Sequence, residues 1–116
     1  MNKVVIFHGA QLGFLLNELR RFYDFPKFYE TYFSMFGNSR DETLKKSFAD
    51  IIRVLSAHLV NCDLVTGFVA IEPGELDFNL LCRIVRAAES LMRCTPDFYN
   101  SKERASFAVF EYLLRD

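Results

Sequence analysis

No sign of charge dominates this chain. Its 116 residues carry 14 lysines and arginines against 15 aspartates and glutamates, for a net charge of −1. A dedicated nucleic-acid binder carries a basic excess that draws it to phosphates, and that excess is missing. The acidic excess of a phosphate mimic is missing too. Cysteine is scarce and odd in number, and Cys62, Cys82 and Cys94 stand far apart. No close pair marks a disulfide framework or a zinc knuckle, so the expectation is buried free thiols in a reducing cytoplasm. Long apolar runs are also absent. The N-terminus offers only Val4-Val5-Ile6-Phe7, too short for the hydrophobic region of a secretory signal. Nothing approaches the roughly 18 apolar residues that suggest a membrane span. There is no internal repeat, low-complexity tract or long linker. The remaining composition, 51% hydrophobic and 25% charged, is that of an ordinary globular chain. The length fits one domain that can bury a core without staples.

Periodicity divides the chain into helices. Leu12, Leu15, Leu16 and Leu19 recur at helical spacing and predict a helix from Ala10 to Tyr23, although Gly9 and Gly13 weaken any helix through them. Asp24-Phe25-Pro26 marks a boundary, because proline suits a first helical turn and the residue before it resists the α conformation. A second helix is expected from about 26 to 36, stopped by Gly37-Asn38. Ser39 and Glu42 have the spacing of a capping box. The helix they introduce carries Leu44, Phe48, Ile51, Ile52, Leu55 and Leu59 on one face. From Glu75 to Arg93 the apolar face runs through Leu76, Leu80, Leu81, Ile84 and Val85 to Leu91 and Met92, with acids first and Arg93 last as the helix dipole favours. Thr95-Pro96-Asp97, and Asn100 with Glu103, restart the chain into a last helix from about 101 to 115. Residues 3–7 and 65–71 are rich in β-formers, and the second stretch ends in the turn sequence Glu72-Pro73-Gly74. The expected fold is all-α, a compact bundle of four to five helices. One short strand pair, residues 3–7 with 65–71, stays open as an addition to it.

Catalytic patterns are missing. Neither a Gly-x-Ser-x-Gly elbow nor a phosphate loop occurs. His58 and Cys62 stand four residues apart, the spacing of a base and a nucleophile on one helix face. The plainer reading is a histidine at the edge of an apolar stripe and a cysteine packed as a small hydrophobe. The same two residues supply only half of a tetrahedral zinc site, so no metal and no cofactor are expected. Arg83, Arg86 and Arg93 share a helix face, but Glu89 and Ser90 lie between them, which reads as a solvated face and makes nucleic-acid binding an unfavoured reading.

Two features stand out against this background. The first is aromatic: Phe22 to Phe36 contains eight Phe and Tyr residues. Seven of them, Phe22, Phe25, Phe28, Tyr29, Tyr32, Phe33 and Phe36, fall within an arc of about 140° on a helix. Aromatic side chains dominate cores and interfaces alike, so the stripe either fills the centre of the fold or docks a partner. Tyr29 and Tyr32 tolerate a half-wet interface better than Phe does. The second feature is acidic. From Val54 to Cys82 there is no lysine or arginine, while Asp63, Glu72, Glu75 and Asp77 fall inside the segment. Such a segment suits the docking of a basic protein partner. The expected function is therefore a non-enzymatic, cytosolic protein-binding domain: an inhibitor or immunity-type protein that neutralises its partner by occlusion. Asp63, Glu72, Glu75, Asp77, Tyr29 and Tyr32 are its candidate contacts. A homodimer or adaptor seamed by the aromatic helix 26–36 is the alternative, and a ligand binder or enzyme with a Phe-lined pocket is a third reading.

Overall fold

In chain order the elements are β1 (Val5–His8), α1 (Gly9–Tyr23), α2 (Pro26–Phe36), α3 (Thr43–Val60), β2 (Phe68–Ile71), α4 (Phe78–Cys94) and α5 (Ser101–Leu113). The computed structural model describes residues 3–37, 43–63, 66–95 and 101–114. The fold is an all-helical bundle with one short antiparallel strand pair. The expected caps at Ser39 with Glu42 and at Asn100 with Glu103 fall outside the described residues.

β1 runs straight into α1, and His8 makes the junction. Its backbone is extended, its Nδ1 accepts from the Ala10 amide at 3.2 Å, and its own amide donates to Gln11 Oε1 at 3.0 Å. This reciprocal cap satisfies two backbone donors at the helix start. It lets α1 begin at Gly9, one residue before the predicted start. Gly13 does not interrupt the helix, because Leu12, Leu15, Leu16, Leu19 and Phe22 bury one continuous face. At the next corner Phe25 is extended and Pro26 opens α2. Gly37 closes α2 at φ 80°, a conformation that costs a residue with a Cβ more than it costs glycine.

The strands pair Val5 with Ile71, Ile6 with Ala70, Phe7 with Val69 and His8 with Phe68. They are shorter than the apolar runs 3–7 and 65–71. On the β2 side the chain folds back on itself before the strand begins: the Gly67 amide donates to Asp63 O at 2.8 Å, and Gly67 O accepts from the Gly9 amide at 3.0 Å. Alternation puts Val5, Phe7, Val69 and Ile71 into the core and leaves Val4, Ile6, Phe68 and Ala70 outside.

Rings tie the layers together. Phe7 of β1 meets Phe110 of α5, Phe107 of α5 meets Phe22 of α1, and Phe22 meets Phe28 of α2 at 5.7 Å between centroids. Phe28 then meets Phe48 of α3 at 5.5 Å. α4 closes the core with Leu81, Ile84, Val85, Ala88 and Met92, packing on both α2 and α5. Two carboxylates enter this interior, each held by an arginine of its own helix: Glu18 by Arg21, and Glu89 by Arg93.

Two alanine substitutions separate the glycines. A Cβ on Gly13 meets nothing within 4 Å, so Gly13→Ala should stabilise the fold by roughly 0.5–1 kcal/mol through helix propensity. A Cβ on Gly67 would sit 2.5 Å from Asp63 O and 2.8 Å from Cys62 Sγ, so Gly67→Ala should destabilise it by about 1–3 kcal/mol. Urea unfolding of the two variants reads both signs.

Candidate functional site

The four acids of the basic-free segment divide by position. Asp63 follows the end of α3, and its Oδ1 accepts from the Thr66 amide at 3.2 Å. Asp77 is the N-cap of α4, with Oδ1 accepting from the Leu80 amide at 3.0 Å. Glu75 lies in the turn before that cap. Its Oε1 faces His58 Nε2 at 2.7 Å, and its Oε2 accepts from the Glu72 amide at 2.7 Å. The Glu72 amide, and then the His58 hydrogen bond, hold the Glu75 carboxyl below the usual carboxylate range. Glu72 projects from the exposed side of the chain immediately after β2. Glu75 and Asp77 share a groove of about 140 Å³ with Asp50, Arg53, Ile51 and Val54 of α3. The structure thus brings two of the four predicted acids together against α3, while Asp63 follows the end of α3 and Glu72 follows β2.

His58 therefore has a carboxylate partner, and Cys62 does not share it. The Cys62 thiol donates to Asp63 O at 3.4 Å. A carboxylate can only accept, so His58 carries its proton on Nε2 in this arrangement. The expected buried thiols are not fully buried: Cys62 and Cys82 are half-buried, and Cys94, the last residue of α4, is exposed. Among the described residues no three His, Cys, Asp or Glu side chains gather to hold a metal ion, and no helix is long and apolar enough to cross a membrane.

The three arginines of α4 are each engaged. Arg83 Nε donates to the Tyr32 hydroxyl at 3.1 Å. Arg86 pairs with Glu111 at 3.8 Å and lies over the Phe36 ring. Arg93 pairs with Glu89.

The aromatic face of α2 packs on the core, while most of the rest of the helix is exposed. Phe28 is fully buried, Tyr32 is 7% exposed, and Phe33 and Phe36 are half-buried. Tyr29 is half-buried and donates its hydroxyl proton to Tyr23 O at 2.6 Å. Burial, then Tyr23 and Asp24, push its ionisation well above the ordinary phenol range. Tyr29 and Tyr32 thus differ. Tyr32 is bonded into the interior, while Tyr29 lines a surface groove with Pro26, Glu30, Phe33 and Ser34.

Among the described residues, another exposed apolar surface lies on the outer face of the sheet. Ile6 is 58% exposed and Phe68 is 71% exposed, and Val4, just before β1, is exposed as well. The Phe68 ring stands edge-on against His8 at 5.3 Å. Past His8, a second apolar groove of about 300 Å³ opens between α1 and α5, lined by Ala10, Gln11, Phe14, Val109 and Phe110. These residues escaped the periodicity reading because Val4-Val5-Ile6-Phe7 is apolar throughout, which reads as a strand covered on both faces. A strand so composed, in a sheet that only one layer of helices covers, was the available signal.

The chain matches no protein-family model, no curated protein and no solved structure. The surface itself is therefore the ground for a functional reading.

The acids should separate in stability. Asp77→Ala removes the α4 cap and should cost about 1 kcal/mol. Glu72→Ala should stay within about 0.5 kcal/mol of the parent, as exposed side chains do. Thermal unfolding of both variants at neutral pH measures the difference.

Proposed function

We propose that this chain is a non-enzymatic protein-binding domain that occludes a basic protein partner. Its contact surface is the outer face of the β1–β2 sheet together with the acidic residues Asp63, after α3, and Glu72, after β2. The observation that carries the reading is the exposure of Ile6 and Phe68, two large apolar side chains on one face of a sheet whose other face is core. Exposed apolar surface rimmed by polar residues is the usual anatomy of a docking site. Glu72, the exposed residue that follows β2, supplies acidic charge at the edge of this face, and no lysine or arginine interrupts the segment from Val54 to Cys82. Positive charge on a partner would be steered to this rim and then held by apolar contact. An inhibitor or immunity-type protein is the class that fits a small domain of this kind.

Glu75 and Asp77 play a supporting part in this reading. They shape the turn and cap α4, so their charge is already committed to local bonds. A second reading, a homodimer through α2, draws on Phe25 and Met35, which are exposed near the two ends of that helix.

Capture from the lysate of the native host tests both. The tagged parent chain should retain a stoichiometric basic protein, and Ile6→Ser combined with Glu72→Lys should weaken that complex at least tenfold, ~1.4 kcal/mol, while leaving the fold intact. Undiminished capture by the double variant would overturn the sheet-face reading. A dimer of the chain alone in light scattering, lost in Met35→Glu, would favour the second reading.

A further inference from the structure

One carboxylate holds the β2–α4 turn from two sides. Glu75 Oε2 accepts from the Glu72 amide at 2.7 Å, and the Glu75 amide returns a bond to Glu72 O at 3.1 Å, closing the turn on itself. Glu75 Oε1 reaches across to His58 Nε2 on α3 at 2.7 Å. We propose that Glu75 is a proton-operated latch that fastens this turn, and with it the end of β2, to α3.

The chemistry of the donors makes the latch depend on the charge of Glu75. A backbone N–H can only donate, so a proton added to Glu75 cannot sit between Oε2 and the Glu72 amide. It would have to point at His58 or out to water, and the oxygen that carries it becomes a much weaker acceptor. Imidazole ordinarily takes its proton at a higher pH than a carboxyl does, and charged imidazole has only donors. A protonated Glu75 therefore faces donors on both sides and loses one of its bonds. The two protonations act in opposite senses. A proton on His58 turns the bond between neutral imidazole and carboxylate into an ion pair and tightens the latch, and a proton on Glu75 releases it.

The surrounding charges do not replace either partner. On α3, Arg53 is paired with Asp50 at 3.3 Å, and both side chains are largely exposed. On the turn's own segment, Asp77 is tied to the Leu80 amide and Glu72 is exposed. The Glu75 carboxyl is held below the usual range, first by the Glu72 amide and then by His58. A depressed carboxyl contributes stabilisation that is present above its unfolded value and is lost as pH falls through its folded one. Release therefore comes on the acid side, below the ordinary carboxylate range. The latch is a property of the free chain and does not rest on the partner-binding reading.

Hydrogen exchange of individual amides in the full-length chain, followed by NMR from pH 7 to pH 3 and corrected for the intrinsic rate, tests it. Protection of the Glu72 amide should fall at least roughly tenfold as the Glu75 carboxyl titrates, the scale of losing a charge-assisted bond, while the Phe48 and Ile84 amides keep theirs. At pH 7, His58→Leu should lower Glu72 protection by a similar factor, and His58→Gln, which keeps a donor, should preserve most of it. Three results would overturn the latch. These are pH-independent protection at Glu72, parent-like protection in His58→Leu, and a drop at Glu72 that occurs only together with the core amides.

Discussion

The contact between Phe22 and Phe28 across the Pro26 corner is the constraint on which the bundle depends. Pro26 has no amide proton and holds the preceding residue extended, so α1 cannot continue into α2. The chain must turn, and the turn sets the last inward ring of α1 against the first inward ring of α2. From that pair the packing spreads both ways. Phe22 reaches Phe107 of α5, and through Phe110 the cluster meets Phe7 of β1. Phe28 reaches Phe48 of α3, which Tyr23 flanks from the other side. Four helices and one strand are thus joined through ring contacts that prefer tilted and edge-to-face geometry. α4 completes the assembly with aliphatic side chains, and its arginines reach Tyr32 and Phe36 of α2.

This arrangement decides which surfaces are left over. The aromatic arc of α2 is largely consumed by the core, so the longest aromatic stretch in the sequence is chiefly a packing device. Glu18 and Glu89 are nearly buried because they sit at the margins of helix faces, where an arginine one turn away can reach them. A buried carboxylate without such a partner would be costly. The two-stranded sheet has a different fate. Its inner side chains complete the core, but among the described residues no second layer lies outside it, and Ile6 and Phe68 are exposed.

The helices were legible because each carries a long apolar stripe at a single period. The boundary at Pro26 was legible because proline restricts the backbone on both of its sides. The strand pair was harder. Each strand has four residues, too few for periodicity to separate strand from helix, and their pairing is non-local. α1 includes Gly9 and Gly13 because the His8 cap and the buried leucine face outweigh helix propensity, which is a weak local preference. His8 itself was not anticipated as a cap, since histidine is not among the favoured N-cap residues. The acidic segment was visible as composition, but its division was not. That Asp77 would cap α4, that Glu75 would bind His58, and that Glu72 would stay exposed depend on where the β2–α4 turn meets α3. Tyr29 and Tyr32, three residues apart on one helix, ended with different exposures because only Tyr32 faces Arg83 of α4.

The central claim is that the interior aromatics fasten the helices together, whereas the apolar side chains on the sheet's outer face stay in solvent and add little to stability. Equilibrium urea unfolding of Phe28→Ala and Phe68→Ala, measured side by side, tests it most directly. Loss of the buried ring should cost about 3–5 kcal/mol, and loss of the exposed ring should cost no more than about 1 kcal/mol. Equal costs at the two positions, or a Phe28→Ala variant as stable as the parent, would contradict the account.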